Sequence, residues 1–272
     1  MSLAYVYDGS VEGLMSAIFH AYANHEIPED VVRPQHLQMR LGQEERIITT
    51  DFSLASRVAH GIQRQLGKQV WQYMLEASAS DNPNTGTIVY RFVRYALSSR
   101  FAMNCSSCSK KQSCNKPCVP GFGSKILSEW ANPDVGPLLQ LQRHTYTESE
   151  RMRQFIRFQH TKDGYWFAKC NPNAAVLPFI MDWFAERFNT QSFVIYDESH
   201  KMAGISSNGS WQLVDSNEID IPELAPEEEL MQQAWRGFYQ ALSIESRYNP
   251  DLRRQFMPKR LWKNLTEMQE SL

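Results

Sequence analysis

The chain has 272 residues, of which 42% are hydrophobic and 12% aromatic. Such a chain can bury a substantial core, and this composition excludes an intrinsically disordered protein. The formal net charge is −2, from 28 basic and 30 acidic residues. Whole-chain charge therefore favours no class of charged partner, and only local clusters of charge can do so.

The compartment is predicted from what the sequence lacks. No apolar run approaches the roughly 18–20 residues that a membrane-spanning helix needs. The first ten residues have neither the basic start nor the apolar stretch of a signal peptide. We therefore expect a cytoplasmic protein with no membrane contact.

The first part of the chain is predicted to open with a strand over residues 4–7. A turn at Asp8-Gly9-Ser10 then leads into an amphipathic helix over residues 11–22. A short second strand is expected at 46–49. Asp51 is expected to cap the next helix and Gly67 to end it. Two further helices are predicted, over residues 70–75 and 88–96.

A polar loop is expected at residues 102–123, and it holds four of the five cysteines. Soft ligands this close together can hold Zn²⁺ or an iron–sulfur cluster, and the spacing leaves the choice between these two cofactors open. Four free thiols are the alternative. In a reducing compartment, such density favours metal over disulfides. The predicted ligands are Cys105, Cys108, Cys114 and Cys118.

The second part of the chain mixes helices and strands. A long helix is predicted over residues 138–159, a strand over 165–169 and a helix over 177–188. Three strands at 192–196, 201–205 and 211–214 form a predicted meander, with Asn208-Gly209 as its hairpin turn. A last helix is expected to carry Met231 to Leu242. The predicted fold is therefore α+β in one domain of residues 1–272, with a small mixed sheet, several flanking helices and the cysteine-bearing loop as an insertion.

Two groups of polar residues stand out as candidate sites. Arg153 and Arg157 are four residues apart, so they are expected to share a helix face that phosphate could bind. The simpler interpretation is an amphipathic helix on which Glu150 pairs with Arg153. Asp197 lies close in sequence to Glu198 and His200, which is compatible with metal binding or acid–base chemistry. A polar β-turn is the simpler interpretation there.

Two segments of opposite charge lie near the C-terminus. Residues 216–230 hold six acidic residues and no basic one, and they are predicted to form an exposed connector. Residues 247–265 hold six basic residues and one acidic one. In this basic motif, cations could neutralise phosphates while Trp262 stacks on an exposed base. Equally, Phe256, Met257, Leu261 and Trp262 could dock onto the domain and leave the charges in solvent.

Three blocks of sequence together resemble a known family. They are residues 7–14, residues 148–158 with the strands that follow at 164–168 and 193–197, and residues 249–265. The Met-Pro-Lys-Arg-x-Trp-Lys run in the last block is the most specific. The chain resembles the bacterial family described as probable DNA metabolism proteins, also labelled DNA repair proteins. Leu261 stands where that family often has an aromatic residue, and the cysteine loop is not one of its signatures.

The resemblance indicates the process and the partners of the protein, and it does not indicate a reaction mechanism. Such proteins are associated with a companion radical-SAM protein, and related domains occur fused to uracil-DNA glycosylase-like domains. We therefore expect a DNA metabolism or repair accessory protein that binds DNA, single-stranded or damaged, and acts with a radical-SAM partner. In this interpretation Trp262 stacks or anchors, and the residues that contact phosphate are Arg153, Arg157, Arg253, Arg254, Lys259, Arg260 and Lys263.

Two other classes of function stay open. The chain could be an enzyme that acts on damaged or modified bases, and Glu148, Arg157 and Asp197 would then be its candidate catalytic residues. No phosphate-binding Gly-x4-Gly-Lys loop, dinucleotide-binding glycine motif or Gly-x-Ser-x-Gly elbow supports a particular reaction. The chain could also be a protein–protein adaptor without nucleic-acid contact, with residues 218–229 as its docking segment.

Overall fold

The computed structural model describes residues 2–99, 101–102, 123–215 and 220–269. The four cysteines predicted to bind metal lie outside these residues, so that site stays a prediction. The chain divides into two compact units, Met1–Tyr146 and Thr147–Leu272. This division describes packing, and folding as one domain also stays a prediction.

The first unit is built on a parallel sheet of three strands. Its strands are β1 (Ser2–Val6), β2 (Asp30–Val32) and β3 (Gln43–Ile47), in the order β2-β1-β3. The middle strand, β1, is the most buried, which fits its apolar sequence. The helices of this unit are α1 (Val11–Ala23), α2 (Phe52–Leu66), α3 (Lys68–Ser78), α4 (Thr85–Ser98) and the first part of α5 (Gly136–Phe155).

The predicted cap at Asp51 and the predicted end at Gly67 are confirmed, and the turn at Asp8-Gly9-Ser10 supplies the cap of α1. Ser10 caps α1 because its Oγ accepts a 2.9 Å hydrogen bond from the backbone N–H of Gly13. Asp51 caps α2 by accepting from the N–H groups of Ser53 at 2.8 Å and Leu54 at 3.1 Å. Gly67 ends α2 with φ +95°, a conformation that favours glycine.

A polar network closes the carboxyl end of β1. The Asp8 carboxylate accepts hydrogen bonds from the Ser10 hydroxyl at 2.6 Å and the Thr50 hydroxyl at 2.7 Å. The first turn of α1 lies directly against this network at Gly13. A Cβ added there would lie 2.2 Å from Asp8 Oδ1 and 2.9 Å from Thr50 Oγ1. Position 13 therefore has room only for glycine.

The second unit contains a mixed sheet of five strands. They are β4 (Gln159–His160), β5 (Trp166–Cys170), β6 (Phe193–Asp197), β7 (Met202–Ser207) and β8 (Ser210–Asp215), paired in chain order. Strands β5 and β6 are parallel, and the other pairs are antiparallel. The helices of this unit are the end of α5, α6 (Leu177–Arg187), α7 (Glu228–Leu242) and α8 (Pro250–Phe256).

The α+β class is confirmed, and the five-stranded sheet is mixed as expected. The predicted meander is β6, β7 and β8, joined at its second turn by Asn208 with φ +52° and Gly209 with φ +75°. Two positive φ angles are the signature of the hairpin turn that Asn-Gly favours. The separate parallel sheet was not predicted, because its strand β2 has only three residues and is too short to show a periodic pattern.

One prediction about α5 is wrong. The helix ends at Phe155 and not near residue 159, so Arg157 lies beyond it and shares no helix face with Arg153. The chain leaves the helix because Phe158 packs its ring edge-on against three aromatic rings of the second core. These are Phe184, Phe188 and Phe193, with ring centroids 5.4–5.6 Å away.

The C-terminal basic motif is partly docked. Its apolar residues Met257, Leu261 and Leu265 are buried in the core of the second unit, and Trp262 is partly buried against the same core. Phe256 is exposed. The interpretation that the motif docks onto the domain therefore holds for Met257, Leu261 and, in part, Trp262, and it does not hold for Phe256.

Gly13→Ala should destabilise the protein by about 1–3 kcal/mol, because the new methyl group would overlap the Asp8 carboxylate. Gly61→Ala is the matched control in helix α2, where an added Cβ meets nothing within 4 Å. That change should stabilise by about 0.5–1 kcal/mol. Denaturant midpoints measure both variants. Equal stability of Gly13→Ala and wild type would contradict the tight packing at this turn.

Candidate functional site

The ends of the two parallel strands bring polar residues to one edge of the second sheet. Cys170 at the end of β5 is in register with Asp197 at the end of β6. The residue after β6 continues the pairing, since the N–H of Glu198 donates to the Cys170 carbonyl at 2.9 Å. Ligand sites often form at such carboxyl ends, which makes this edge the first place to examine.

The centre of this edge is Glu148, a fully buried carboxylate on α5. One oxygen accepts from the Arg260 guanidinium and from the backbone N–H of Asn173 at 3.1 Å. The other oxygen accepts from Arg151 Nη1 at 3.3 Å. A buried carboxylate is tolerated only when such partners compensate its lost hydration.

Arg260 connects this carboxylate to the loop after β5. Its second terminal nitrogen, Nη1, donates to the backbone carbonyl of Asn171 at 3.1 Å. The Asn171 side-chain oxygen in turn accepts from Asn264 Nδ2 at 2.9 Å. Two residues of the C-terminal basic motif are therefore tied to the same strand end.

A second ion pair lies beside the first. Glu198 accepts from Lys169 at 2.7 Å and from Lys263 at 2.8 Å. Partial burial alone would raise the pKa of Glu198, but hydrogen bonds and charge from these two lysines hold it below the usual glutamate range. Lys263 is thus bound to a carboxylate that stays ionised.

Asp197 and Cys170 complete the edge. The buried Asp197 carboxylate lies 2.7 Å from His200 Nδ1 and accepts from the backbone N–H of Ser199 at 2.9 Å. Burial, reinforced by the neighbouring acids, raises the pKa of the Cys170 thiol well above its usual range. A protonated, buried thiol is neither a good nucleophile nor a metal ligand.

These residues form what we name the strand-end cluster: Glu148, Arg151, Asn171, Asp197, Glu198, His200, Arg260 and Lys263. Two predicted catalytic candidates, Glu148 and Asp197, lie in it together with two predicted phosphate contacts, Arg260 and Lys263. Most of its polar groups bond one another. These ion pairs and hydrogen bonds hold the C-terminal segment on the sheet.

The other predicted phosphate contacts lie elsewhere. Arg153 pairs with Glu150 at 2.5 Å and donates to the Phe179 carbonyl at 2.9 Å. Arg157 pairs with Glu267 at 2.7 Å, and Arg254 pairs with Asp251 on the exposed surface of α8. Arginine clustering in the sequence thus corresponds to several separate ion pairs.

A groove runs between α7 and the C-terminal segment, with a volume of about 1090 Å³. Its α7 wall carries Arg236 and the three glutamines Gln232, Gln233 and Gln240. Its other wall carries Arg253 and Trp262. We name it the α7 groove.

Trp262 is held in this groove between cations. Its indole N–H donates to the Met257 carbonyl at 3.0 Å, which fixes the ring. The Arg253 guanidinium lies 5.0 Å from the ring centroid and the Lys259 ammonium 5.9 Å. Across the groove, Arg236 makes no hydrogen bond or ion pair within the described parts of the chain.

A second concavity, the aromatic hollow, lies on another side of α7. Its apolar part has a volume of about 260 Å³ and is lined by Phe158, Trp166, Phe188, Phe193 and Gln191. It opens into a larger space of about 670 Å³, whose polar lining includes Arg157, His160 and Arg187. Uncovered aromatic rings with cations at the rim are suited to a flat, polar-edged ligand.

Glu267 separates the two concavities. Its nearly buried carboxylate accepts from Arg157 Nη2 at 2.7 Å and from the Trp235 indole N–H at 3.0 Å. Burial would raise the pKa of Glu267, but hydrogen bonds from Arg157, its own backbone N–H and Trp235 hold that pKa below its ordinary value of 4.5. The ion pair therefore stays formed at neutral pH.

Arg253 and Trp262 of the groove and Arg157 of the hollow were among the predicted nucleic-acid contacts, whereas the other residues that line the two concavities were missed. Arg236 and the glutamines occupy an ordinary polar helix face, and Glu267 follows the basic motif without any pattern. Phe158 and Trp166 are typical core residues. Only the end of α5 at Phe155 and the return of the C-terminal segment bring these side chains together. The adjacent glutamines Gln232 and Gln233 are the signal from which this groove wall could have been found.

Among the residues that the structure describes, no group of three or more histidine, cysteine or acidic residues could hold a metal ion. No helix among those residues is long and apolar enough to cross a membrane.

Comparison with known proteins gives a family. The family described as Domain of unknown function DUF4130 matches residues 119–267, which is more than half of the chain. The chain belongs to this family. No curated protein matches the sequence. The DUF4130 match includes the complete mixed sheet, the strand-end cluster and both walls of the α7 groove.

Arg260→Ala should destabilise this DUF4130 member by about 3–5 kcal/mol, because it leaves the buried Glu148 carboxylate without its main partner. Arg254→Ala is the matched control from the same basic motif. Its ion pair with Asp251 is exposed, so the loss should be below about 1 kcal/mol. Urea unfolding measures both. Similar losses for the two variants would show that the ion pair of Arg260 with Glu148 contributes little to stability.

The Glu267→Gln variant should be less stable than wild type by about 1–3 kcal/mol at neutral pH, because it weakens charged hydrogen bonds. The pKa of Glu267 is lowered by folding, so its contribution is complete above its ordinary value of 4.5 and is lost as the pH falls below that value. The stability difference should therefore shrink with acidification. The control Glu229→Gln removes an exposed carboxylate that lines the α7 groove. A pH-independent difference for Glu267→Gln would contradict this assignment.

Proposed function

We propose that the chain is a DNA metabolism accessory protein that binds single-stranded nucleic acid along α7 and acts with a radical-SAM partner. One observation carries the binding proposal. The α7 groove places an indole ring between two cations, opposite an arginine that has no partner in the described parts of the chain. Aromatic rings flanked by cations bind unstacked bases and phosphates at the same time.

The groove walls supply complementary contacts. Arg236 and Arg253 can each bind a phosphate oxygen, and Lys259 lies beside Trp262. The amides Gln232 and Gln233 can donate to and accept from base edges. A groove of about 1090 Å³ has room for several linked groups.

The charge distribution favours a single strand over a duplex. Arg260 and Lys263 are held by carboxylates of the strand-end cluster, so few cations remain for phosphate. Duplex binding depends on many phosphate contacts, whereas a single strand also gains about 1–3 kcal/mol for each stacked base. With only two or three cations in the groove, stacking has to contribute much of the affinity.

The aromatic hollow supports the same preference. Phe158, Trp166 and Phe188 are partly exposed there. An unstacked base could cover these rings, while Arg187 at the rim approaches its backbone. In paired DNA the bases are not available for such contacts.

The remaining parts of the proposal have their own tests. Partnership should show as co-purification with a radical-SAM protein from the native host, and its absence would remove that element. Metal binding by Cys105, Cys108, Cys114 and Cys118 should show as zinc or iron in elemental analysis of anaerobically purified protein. The catalytic alternative gains nothing specific from the geometry, since the buried Glu148 carboxylate is bonded by Arg151, Asn173 and Arg260. The adaptor alternative keeps its docking segment, since most described residues of 220–229 are exposed.

Binding of a short single-stranded oligonucleotide, followed by fluorescence anisotropy at several salt concentrations, tests the groove. If two or three phosphates are neutralised, log affinity should fall with log salt at a slope of about −1.4 to −2.1. Arg236→Ala should reduce the magnitude of that slope by about 0.7. Trp262→Leu should weaken binding by about 1–3 kcal/mol and leave the slope unchanged, because it removes stacking and no charge.

The control for these variants is Lys201→Gln, which removes an exposed cation at the β6–β7 turn, outside the groove lining. It should change neither affinity nor slope. Equal affinity for duplex and single strand would argue against stacking. Unchanged binding by both Arg236→Ala and Trp262→Leu would exclude the α7 groove as the site.

A further inference from the structure

One side of the aromatic hollow is a row of neighbouring side chains on three strands. His160 on β4 is in register with Trp166 on β5, and Trp166 is in register with Phe193 on β6. Residues in register lie side by side on one face of a sheet. The ring centroids of His160 and Trp166 are 5.0 Å apart, with an angle of 42° between the ring planes. Strand pairing therefore fixes a surface of rings at this place.

Three other segments of the second unit enclose the hollow. The turn after α6 contributes Phe188 and Gln191, because the N–H of Gln191 donates to the Phe188 carbonyl at 3.0 Å. Phe158 follows the end of α5, and α7 contributes Met231 and Trp235. Most of the lining thus comes from regular elements and one short turn. Little of it has to be ordered when a ligand binds, which lowers the free-energy cost of binding.

The rings of the hollow are only partly covered by protein. Phe158, Trp166 and Phe188 pack on the core of the second unit with part of their surface and leave the rest uncovered. A ligand that covers such apolar surface gains binding free energy. The larger space of about 670 Å³ lies in the range of about 300–1,000 Å³ that small-molecule sites occupy. The apolar part of about 260 Å³ is smaller, which favours a single ring system over a stack.

Arg187 places an unpaired cation at the rim. Its guanidinium lies 5.4 Å from the ring centroid of Trp183 and 6.0 Å from that of Phe188. In the part of the chain that the structure describes, Arg187 makes no hydrogen bond or ion pair. Arg157, by contrast, is bonded to Glu267. A guanidinium with unused N–H donors is suited to bind a phosphate through two parallel hydrogen bonds.

The acidic residues of the hollow lie on a different segment from Arg187. Glu228 is bonded to the His160 N–H at 2.9 Å and to Gln232 at 3.0 Å. Glu227, beside it, is exposed. A carboxylate repels phosphate but accepts hydrogen bonds from the amino group of a base. The charges thus fit a ligand that has an anionic group and ring N–H donors at different places.

We propose that the aromatic hollow binds one nucleotide, with the base on Trp166 and Phe188 and the phosphate on Arg187. Two sources supply this chemistry, a free nucleoside monophosphate and an extrahelical nucleotide of a DNA strand. Binding from the second source rests on the proposed function, since the protein must then hold the strand. Binding of a free nucleotide does not depend on it.

Isothermal titration calorimetry of the full-length protein with dAMP and with deoxyadenosine tests the site. Arg187→Ala should weaken dAMP binding about tenfold or more, because it removes a charged hydrogen bond. The same variant should bind deoxyadenosine, which has no phosphate, like wild type. Phe188→Leu should weaken both ligands about fivefold or more, because it removes a stacking ring. Circular dichroism checks that both variants are folded. Arg254→Ala, which removes an exposed arginine outside both concavities, should bind both ligands like wild type.

Fluorescence anisotropy with two duplexes distinguishes the two sources. One duplex carries a single unpaired adenosine, and the other has the same sequence fully paired. A preference of about tenfold or more for the first duplex, lost in Arg187→Ala, would assign the site to a nucleotide of a strand. Equal affinity for the two duplexes, with dAMP still bound through Arg187, would assign it to a free nucleotide.

Two results would overturn the proposal. One is equal dAMP affinity of Arg187→Ala and wild type, or an equal loss for dAMP and deoxyadenosine in that variant. The other is no dAMP binding at millimolar concentration together with equal affinity for the two duplexes. Binding of the single-stranded oligonucleotide along α7 is measured separately. A protein that binds this oligonucleotide and not dAMP loses the hollow site alone, whereas the reverse result retains the hollow and removes the proposed function.

Discussion

The buried ion pair between Glu148 and Arg260 is the interaction on which the second unit depends. It joins residues that are far apart in the chain, and it encloses the loops after β5 and β6 between α5 and the C-terminal segment. A carboxylate without solvent contact requires such a partner. Because Arg260 is committed to Glu148, the segment that contains it is fixed, and Met257 and Leu261 follow it into the core.

Fixing this segment divides the basic motif into two kinds of cation. Arg260 and Lys263 bond carboxylates at the sheet edge, whereas Arg253 and Lys259 lie beside the ring of Trp262, a residue of the α7 groove. The run of basic residues therefore does not form one continuous phosphate-binding surface. The nucleic-acid binding that we propose would rest on Arg236, Arg253 and Lys259, and stacking on Trp262 would add affinity that depends little on salt.

Local patterns predicted local structure well. The caps at Ser10 and Asp51, the end of α2 at Gly67 and the Asn208-Gly209 hairpin all follow from the chemistry of a few neighbouring residues. Long-range pairing was not predictable. No pattern near Arg157 indicates Glu267, and none near Glu148 indicates Arg260. The end of α5 was misplaced for the same reason, since the aromatic packing of Phe158 overrides helical periodicity.

Helix α7 shows both effects, because its sequence pattern is local and its contacts with the unit are long-range. Its sequence is strongly amphipathic, and amphipathic helices normally bury the apolar side. Here the contact with the unit is made by Glu228, which caps the backbone of β4, and by Trp235, which reaches Glu267. These polar anchors fix the rotation of the helix, so its glutamines line the α7 groove while Met231 and Trp235 line the larger space of the aromatic hollow. Turning the helix to bury the exposed Phe238 and Leu242 on the same unit would break both anchors.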